Sequence, residues 1–242
     1  MKWFKNLRYR IFYGLLLKKN FRVISRGDRS IGCAWNFCPD GINSHSIVYS
    51  GGVGRDVTFE HALVEKFGSF IVLIDPSPTG QETMSKAENQ ISQFKFCAVG
   101  LAGRCGRLKL SPPIDEGEGS WSAFSEKHST LEVHALDLET LMKQNGHSHV
   151  DLLKLDIEGA EYEVLDDLLK KKIPIRQVLV EFHHGILSGV RRSQSVRIIL
   201  KMVASGYKLL NQDGNNHTFY LPQNIFKATC DHYIKHSSGN CA

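Results

Sequence analysis

Ser46-Ile47-Val48-Tyr49-Ser50-Gly51-Gly52-Val53-Gly54 is the stretch whose reading decides the fold. Residues with the composition of a short buried strand run into a turn holding three glycines. Helical spacing begins at Thr58, with Phe59, Ala62, Leu63 and Lys66/Phe67 recurring before Gly68 offers a left-handed stop. Glycines at such a turn let the backbone pass close beneath a ligand, where a side chain would clash. The free N–H groups of the following helix add a polar seat. The stretch therefore reads as the first βα unit of a doubly wound α/β domain with a nucleotide-type cofactor on the turn. A tight turn without a ligand is the plainer alternative.

Working outward, Phe70-Ile71-Val72-Leu73-Ile74 is the continuous apolar run of a parallel strand covered on both faces. It ends at Asp75, 21 residues after Gly54, where a carboxylate can accept ribose hydroxyls. Phe94 to Val99 is a third strand, Val150 to Leu155 a fourth and Gln177 to Phe182 a fifth, while Leu131 to Leu136 adds a further candidate before a helix over 137–143. Val196, Ile199, Leu200 and Val203 form a helical stripe closed by Gly206. The chain then changes character: Tyr207 to Leu210 and His217 to Leu221 flank Asp213-Gly214, a hairpin signal. Alternating strands and helices imply a parallel sheet. A nicotinamide fingerprint starting at Gly52 needs glycine at position 57, which is Val57, so a nicotinamide-dependent oxidoreductase is the weaker rival. The terminal hairpin points the same way, since one-domain methyltransferase folds end like this.

Asp156-Ile157-Glu158-Gly159-Ala160-Glu161 follows the fourth strand, at the strand end where open α/β sheets bind ligands. Carboxylates there can hold a cation, act as a base or bind a hard metal; Asp156 capping a helix that begins there, with Glu158 and Glu161 on its dipole, is the structural alternative. Glu181 and His183, at the end of the fifth strand, face the same crevice on this reading.

Val48 to Asp56, Leu73-Ile74-Asp75-Pro76-Ser77-Pro78, Asp151 to Glu161 and Val178 to His183 resemble the FkbM family of S-adenosylmethionine-dependent methyltransferases, over about residues 46–221. The resemblance implies a Rossmann-like class I methyltransferase fold: a mostly parallel seven-stranded sheet ending in an antiparallel hairpin, with helices on both faces. It also implies O-methylation of a sugar or other small hydroxylated metabolite. Carried over, Ser50, Gly51, Gly52 and Gly54 lie beside the methionine moiety, Asp75 and Pro76 at the ribose, Ala98 and Val99 at the adenine, and Asp156 near the methyl-transfer centre. Asp156, Glu158 and His183 are the candidate catalytic residues, and no metal is assigned. Two positions depart from the common pattern: Ser50 stands where many members carry an acid, and Asp75 where many carry Glu.

The 242 residues carry a net charge of +5, yet residues 1–30 alone hold nine Lys or Arg against Asp28. The basic charge thus belongs to an N-terminal arm and not to a nucleic-acid groove on the body, so no nucleic-acid partner is expected. Residues 1–43 read as a basic helical arm and turn-rich lead-in, 44–222 as the methyltransferase domain and 223–242 as a weakly ordered tail. Residues 11–17 are apolar but too few to span a bilayer, and no signal-type cleavage site follows. They read as a helix packed on the domain, with a basic amphipathic helix on an anionic membrane surface as the alternative. Six cysteines without a C-x-x-C pair suit a reduced, cytoplasmic protein. A non-catalytic, membrane-associated partner protein of the same fold is the remaining alternative.

Overall fold

The structure, a computed structural model, describes residues 10–112, 121–122, 131–187 and 189–237. In chain order the elements are α1 (residues 10–16), β1 (Ile24–Arg26), β2 (Trp35–Phe37), β3 (Ile47–Gly51), α2 (Thr58–Phe67), β4 (Phe70–Ile74), α3 (Pro78–Ser85), β5 (Phe94–Cys97), β6 (Gly100–Leu101), β7 (Gly106–Leu110), β8 (Leu131–Leu136), α4 (Leu138–Asn145), β9 (Val150–Leu155), α5 (Glu161–Lys171), β10 (Ile175–Glu181), α6 (Arg192–Ala204), β11 (Lys208–Asp213), β12 (Asn216–Tyr220) and α7 (Gln223–Ser237).

Seven strands form the main sheet in the order β11-β12-β10-β9-β3-β4-β5. The five from β5 to β10 are parallel, and β12 and β11 run antiparallel at one edge. Because side chains alternate across a strand, each central strand feeds two cores. Tyr49, Val72, Ile74, Leu153, Leu155, Val178 and Val180 pack against α4, α5 and α6. Val48, Ile71, Leu73, Leu152 and Leu179 pack against Phe37, Phe59 and Leu63 on the α2 side. The fold is the expected one, with its ligand-binding edge at the ends of β3, β4, β9 and β10.

Three expectations are corrected. The third strand stops at Cys97, because Val99 N–H turns back to the Cys97 carbonyl at 2.9 Å. Leu131–Leu136 is a strand as expected, and it lies in a separate three-stranded sheet of order β6-β8-β7. The acidic block is a loop, and α5 begins only at Glu161: Glu158 and Gly159 have φ of +50° and +104°, which no right-handed helix accommodates. Asp156 therefore caps nothing. Residues 223–237 are not a loose tail but helix α7, because Ile225, Phe226, Cys230 and Tyr233 recur at helical spacing and pack on the core. Residues 238–242 lie outside the described residues. Helix α1 docks through Tyr13, whose hydroxyl is 2.7 Å from His217 Nε2, and Lys18 N–H bonds the Leu209 carbonyl at the open edge of β11.

Candidate active site

Gly52 is the pivot. Its φ is +84°, and a Cβ there would sit 1.8 Å from the Asp156 carbonyl oxygen. Only glycine lets the turn after β3 and the acidic loop after β9 touch backbone to backbone. Asp156 N–H bonds the Gly51 carbonyl, and Gly52 N–H bonds the Ile74 carbonyl, both at 3.0 Å. Asp75 ties the same turn to β4. Its Oδ2 accepts from Val53 N–H (3.0 Å) and Gly54 N–H (2.9 Å), and its Oδ1 from Ser77 N–H (2.8 Å). Of about four acceptor sites on a carboxylate, Oδ1 keeps one. Asp75 is thus first a brace for the glycine turn, with a single oxygen left for a ligand hydroxyl instead of the whole carboxylate.

The acidic loop meets β10 through His183, which is buried. The wholly buried Glu161 accepts His183 N–H (3.1 Å) and its Nδ1–H (3.0 Å) on Oε1, and Gly159 N–H (2.8 Å) on Oε2. That fixes the ring with Nε2 aimed at Glu158 Oε2 (3.3 Å) and Asp156 Oδ1 (3.6 Å). Burial disfavours a charged imidazole, but the Glu161 hydrogen bond and the Glu161, Glu158 and Asp156 carboxylates outweigh it, holding His183 up to about 9. Glu181 is pushed up to about 7 by burial and then by the Asp156 charge. Asp156, Glu158 and His183 have ligand atoms close enough to share a cation, but an imidazolium among carboxylates accounts for the same geometry. The three predicted catalytic residues are brought together, although only Asp156 and Glu158 line the cavity described below; His183 stands behind them.

A second charged group was missed by sequence reasoning. Lys154 lies on the α2 face of β9, in a strand buried along its whole length. Its Nζ donates to the Gly52 carbonyl at 2.8 Å, lies 3.6 Å from Glu60 Oε1, and sits 5.3 Å from the centroid of the Trp35 ring. Burial opposes its charge, but Glu60 and Asp156 more than offset this and raise its pKa. Ser50 is fully buried and gives its hydroxyl hydrogen to Glu60 Oε1 at 2.5 Å. Unlike Glu60 and Lys154, it does not line the cavity described below, against the expectation for that residue. The signal was present in Leu152-Leu153-Lys154-Leu155: a lysine inside a strand covered on both faces must find a carboxylate.

These groups surround a cavity of about 430 Å³. Gly52, Gly54, Asp75, Pro76 and Asp156 line it, as expected; Gly51 packs instead against Ile157 and Leu101. Ala98 and Val99 do not line it. Their expected place is taken by Gly100 and Leu101, because the chain turns after Cys97. Leu108, Leu110 and Trp121 add apolar wall, and Trp121 Nε1–H reaches Thr79 Oγ1 at 3.3 Å. The lining fits S-adenosylmethionine in kind: apolar surface for a base, the Asp75 Oδ1 for a ribose hydroxyl, glycine backbone under the chain, and paired opposite charges for an amino-acid end.

Similar solved structures include a METTL16 methyltransferase domain (9% identical, TM-score 0.43, covering 73% of this chain and 59% of that one). Others are M. capricolum TrmK in complex with S-adenosyl-homocysteine (9%, 0.39, covering 83% and 80%) and a Methanococcus jannaschii fibrillarin pre-rRNA processing protein (10%, 0.41, covering 83% and 81%). The chain spans less than two thirds of the first, and likenesses this distant say nothing of substrate. No curated protein matches the chain. The Methyltransferase FkbM domain matches residues 43–209, a span that takes in the glycine turn, Asp75, the acidic loop and His183. With well over half of its length so matched, this chain belongs to the FkbM methyltransferase family.

Proposed function

We propose that the chain is an S-adenosylmethionine-dependent O-methyltransferase acting on a hydroxyl of a sugar or other small hydroxylated metabolite. The observation that carries this reading is Asp156: a partly exposed carboxylate in the cavity wall, on the loop that touches Gly52, with an imidazole edge 3.6 Å away. Bound, the cofactor supplies a methyl group on a sulfonium, a leaving group already activated. An alcohol is a poor nucleophile, so the chain's task is to orient the hydroxyl and take its proton as the O–C bond forms and the S–C bond breaks.

His183, protonated at neutral pH, is not the base on this reading. Its Nε2 holds the Asp156 and Glu158 carboxylates in position, and Asp156 takes the proton. The test is single-turnover methylation with labelled cofactor across a panel of sugars and other hydroxylated acceptors. Asp156→Asn should slow transfer to the best acceptor by about 10²–10⁴-fold, with S-adenosylhomocysteine binding kept. Cofactor binding without transfer to any hydroxyl would favour a non-catalytic role.

A second proposal concerns the arm. Ile11 and Leu15, one helical turn apart on α1, are 54% and 74% exposed, close to Arg10, Lys18 and Lys19, while Tyr13 faces the core. We infer a peripheral contact with an anionic membrane from the cytoplasmic side. No helix among the described residues is long and apolar enough to cross one. Co-sedimentation with phosphatidylserine vesicles tests this. Retention should vanish for Ile11→Asp/Leu15→Asp, and wild-type protein left in the supernatant would reject it.

A further inference from the structure

We propose that Glu60 and Lys154 form the seat of the cofactor's amino-acid end, Glu60 receiving the ammonium and Lys154 the carboxylate, with Ser50 holding Glu60 in place. The inference rests on the S-adenosylmethionine reading and assigns residues that its glycine turn alone does not supply.

Three features of the pair lead there. First, both side chains are nearly inaccessible, at 6% and 2% for Lys154 and Glu60, yet both border the cavity beside Gly52. Buried charges must be paired and hydrogen-bonded to persist. Second, the pair is not closed on itself. Its nitrogen and oxygen stand 3.6 Å apart, beyond a charge-assisted hydrogen bond of about 2.7–2.9 Å. Lys154 has three donors and directs one at the Gly52 carbonyl; Glu60 receives the Ser50 hydroxyl on Oε1, and its Oε2 has no hydrogen bond to a described residue. Third, the pair holds opposite charges side by side, the complement of a zwitterion that carries ammonium and carboxylate on one carbon.

The geometry also explains how serine serves at position 50. Ser50 and Lys154 are partners across β3 and β9 on the α2 face, so a charge near Lys154 can come from the strand or from the helix above it. Here α2 supplies it through Glu60, and Ser50 gives up its proton to aim that carboxylate.

Calorimetry with two ligands tests this without catalysis. S-adenosylhomocysteine carries the amino-acid end; 5′-methylthioadenosine has the same nucleoside and thioether without it. Wild-type protein should prefer the first by about 100-fold or more, the scale of two hydrogen bonds to charged groups. Glu60→Gln and Lys154→Met should each weaken S-adenosylhomocysteine at least about tenfold and leave methylthioadenosine within about threefold. Ser50→Ala, which removes only the orienting hydroxyl and is the variant safest for folding, should cut the preference severalfold. Decarboxylated S-adenosylhomocysteine separates the halves: it should be sensitive to Glu60→Gln and indifferent to Lys154→Met. Equal losses for both ligands, or no wild-type preference, overturn the proposal and make the pair a structural brace. Binding of neither ligand by wild type would instead overturn the cofactor reading beneath it.

Discussion

Gly52→Ala is the sharpest perturbation of this site. The new Cβ would lie 1.8 Å from the Asp156 carbonyl oxygen, where contacts under 3.0 Å are essentially never seen. Neither side yields cheaply: Asp156 is bonded to Gly51, and Lys154 holds the Gly52 carbonyl. An L-residue at φ +84° adds about 1–2 kcal/mol, and overpacking about 1–3 kcal/mol, for a total of about 2–5 kcal/mol. In a chain of this size that lowers Tm by roughly 4–20 °C. Gly54→Ala is the internal control. Its φ is +55° but a Cβ meets nothing within 4 Å, so only the conformational term of about 1–2 kcal/mol applies. Thermal unfolding gives the ranking, and S-adenosylhomocysteine titration should show Gly52→Ala binding at least about tenfold more weakly, its acidic loop having been pushed away. A Gly52→Ala protein as stable as the Gly54→Ala protein would refute the contact on which the site is built.

Asp75→Asn should destabilise the cofactor-free protein by about 1–3 kcal/mol, because the amide offers one acceptor oxygen to the backbone N–H groups of Val53, Gly54 and Ser77; urea unfolding without ligand measures it, and a purely ribose-binding Asp75 predicts no change. Glu161→Gln should cost about 3–5 kcal/mol and weaken the hold on His183, readable as a downward shift of the imidazole titration in NMR. His183 binds its proton more tightly folded than unfolded, so its contribution is complete below about 6.5 and disappears as pH rises through about 9. Glu181, held up to about 7, likewise favours the folded state less as pH climbs from about 4.5 past 7. Stability from urea melts should therefore fall on the alkaline side, and His183→Asn should flatten the part of the fall above pH 7.

Local pattern carried most of the fold, and the places where it failed share a cause. Helix α2 and strands β4 and β9 lie where apolar period and Gly68 put them, because periodicity and a left-handed stop are written in neighbouring residues. The small sheet, by contrast, depends on β8 pairing with β7 and β6 across a long insertion, and no local signal distinguishes that pairing from membership of the main sheet. Helix α7 was obscured because its anchors, Phe226 and Tyr233, are few and its remaining surface polar. In the site, spacing was enough to bring Asp75, Asp156 and His183 to one edge. What each side chain spends its hydrogen bonds on was not legible: that Asp75 serves the backbone first, that Ser50 serves Glu60, and that His183 stands behind the carboxylates are facts of three-dimensional competition for donors.

The small sheet has a consequence for how such an enzyme can change. It lends Leu101, Leu108 and Leu110 to the cavity wall yet shares no strand with the seven-stranded sheet. Lengthening or trimming it shifts no register in the main sheet, and the Gly52–Asp156 contact and the Glu60–Lys154 pair are anchored in β3, β9 and α2. The molecule thus divides into a side anchored in the main sheet and a wall anchored in the insertion, so that the wall can be recut without moving the Gly52–Asp156 contact or the Glu60–Lys154 pair.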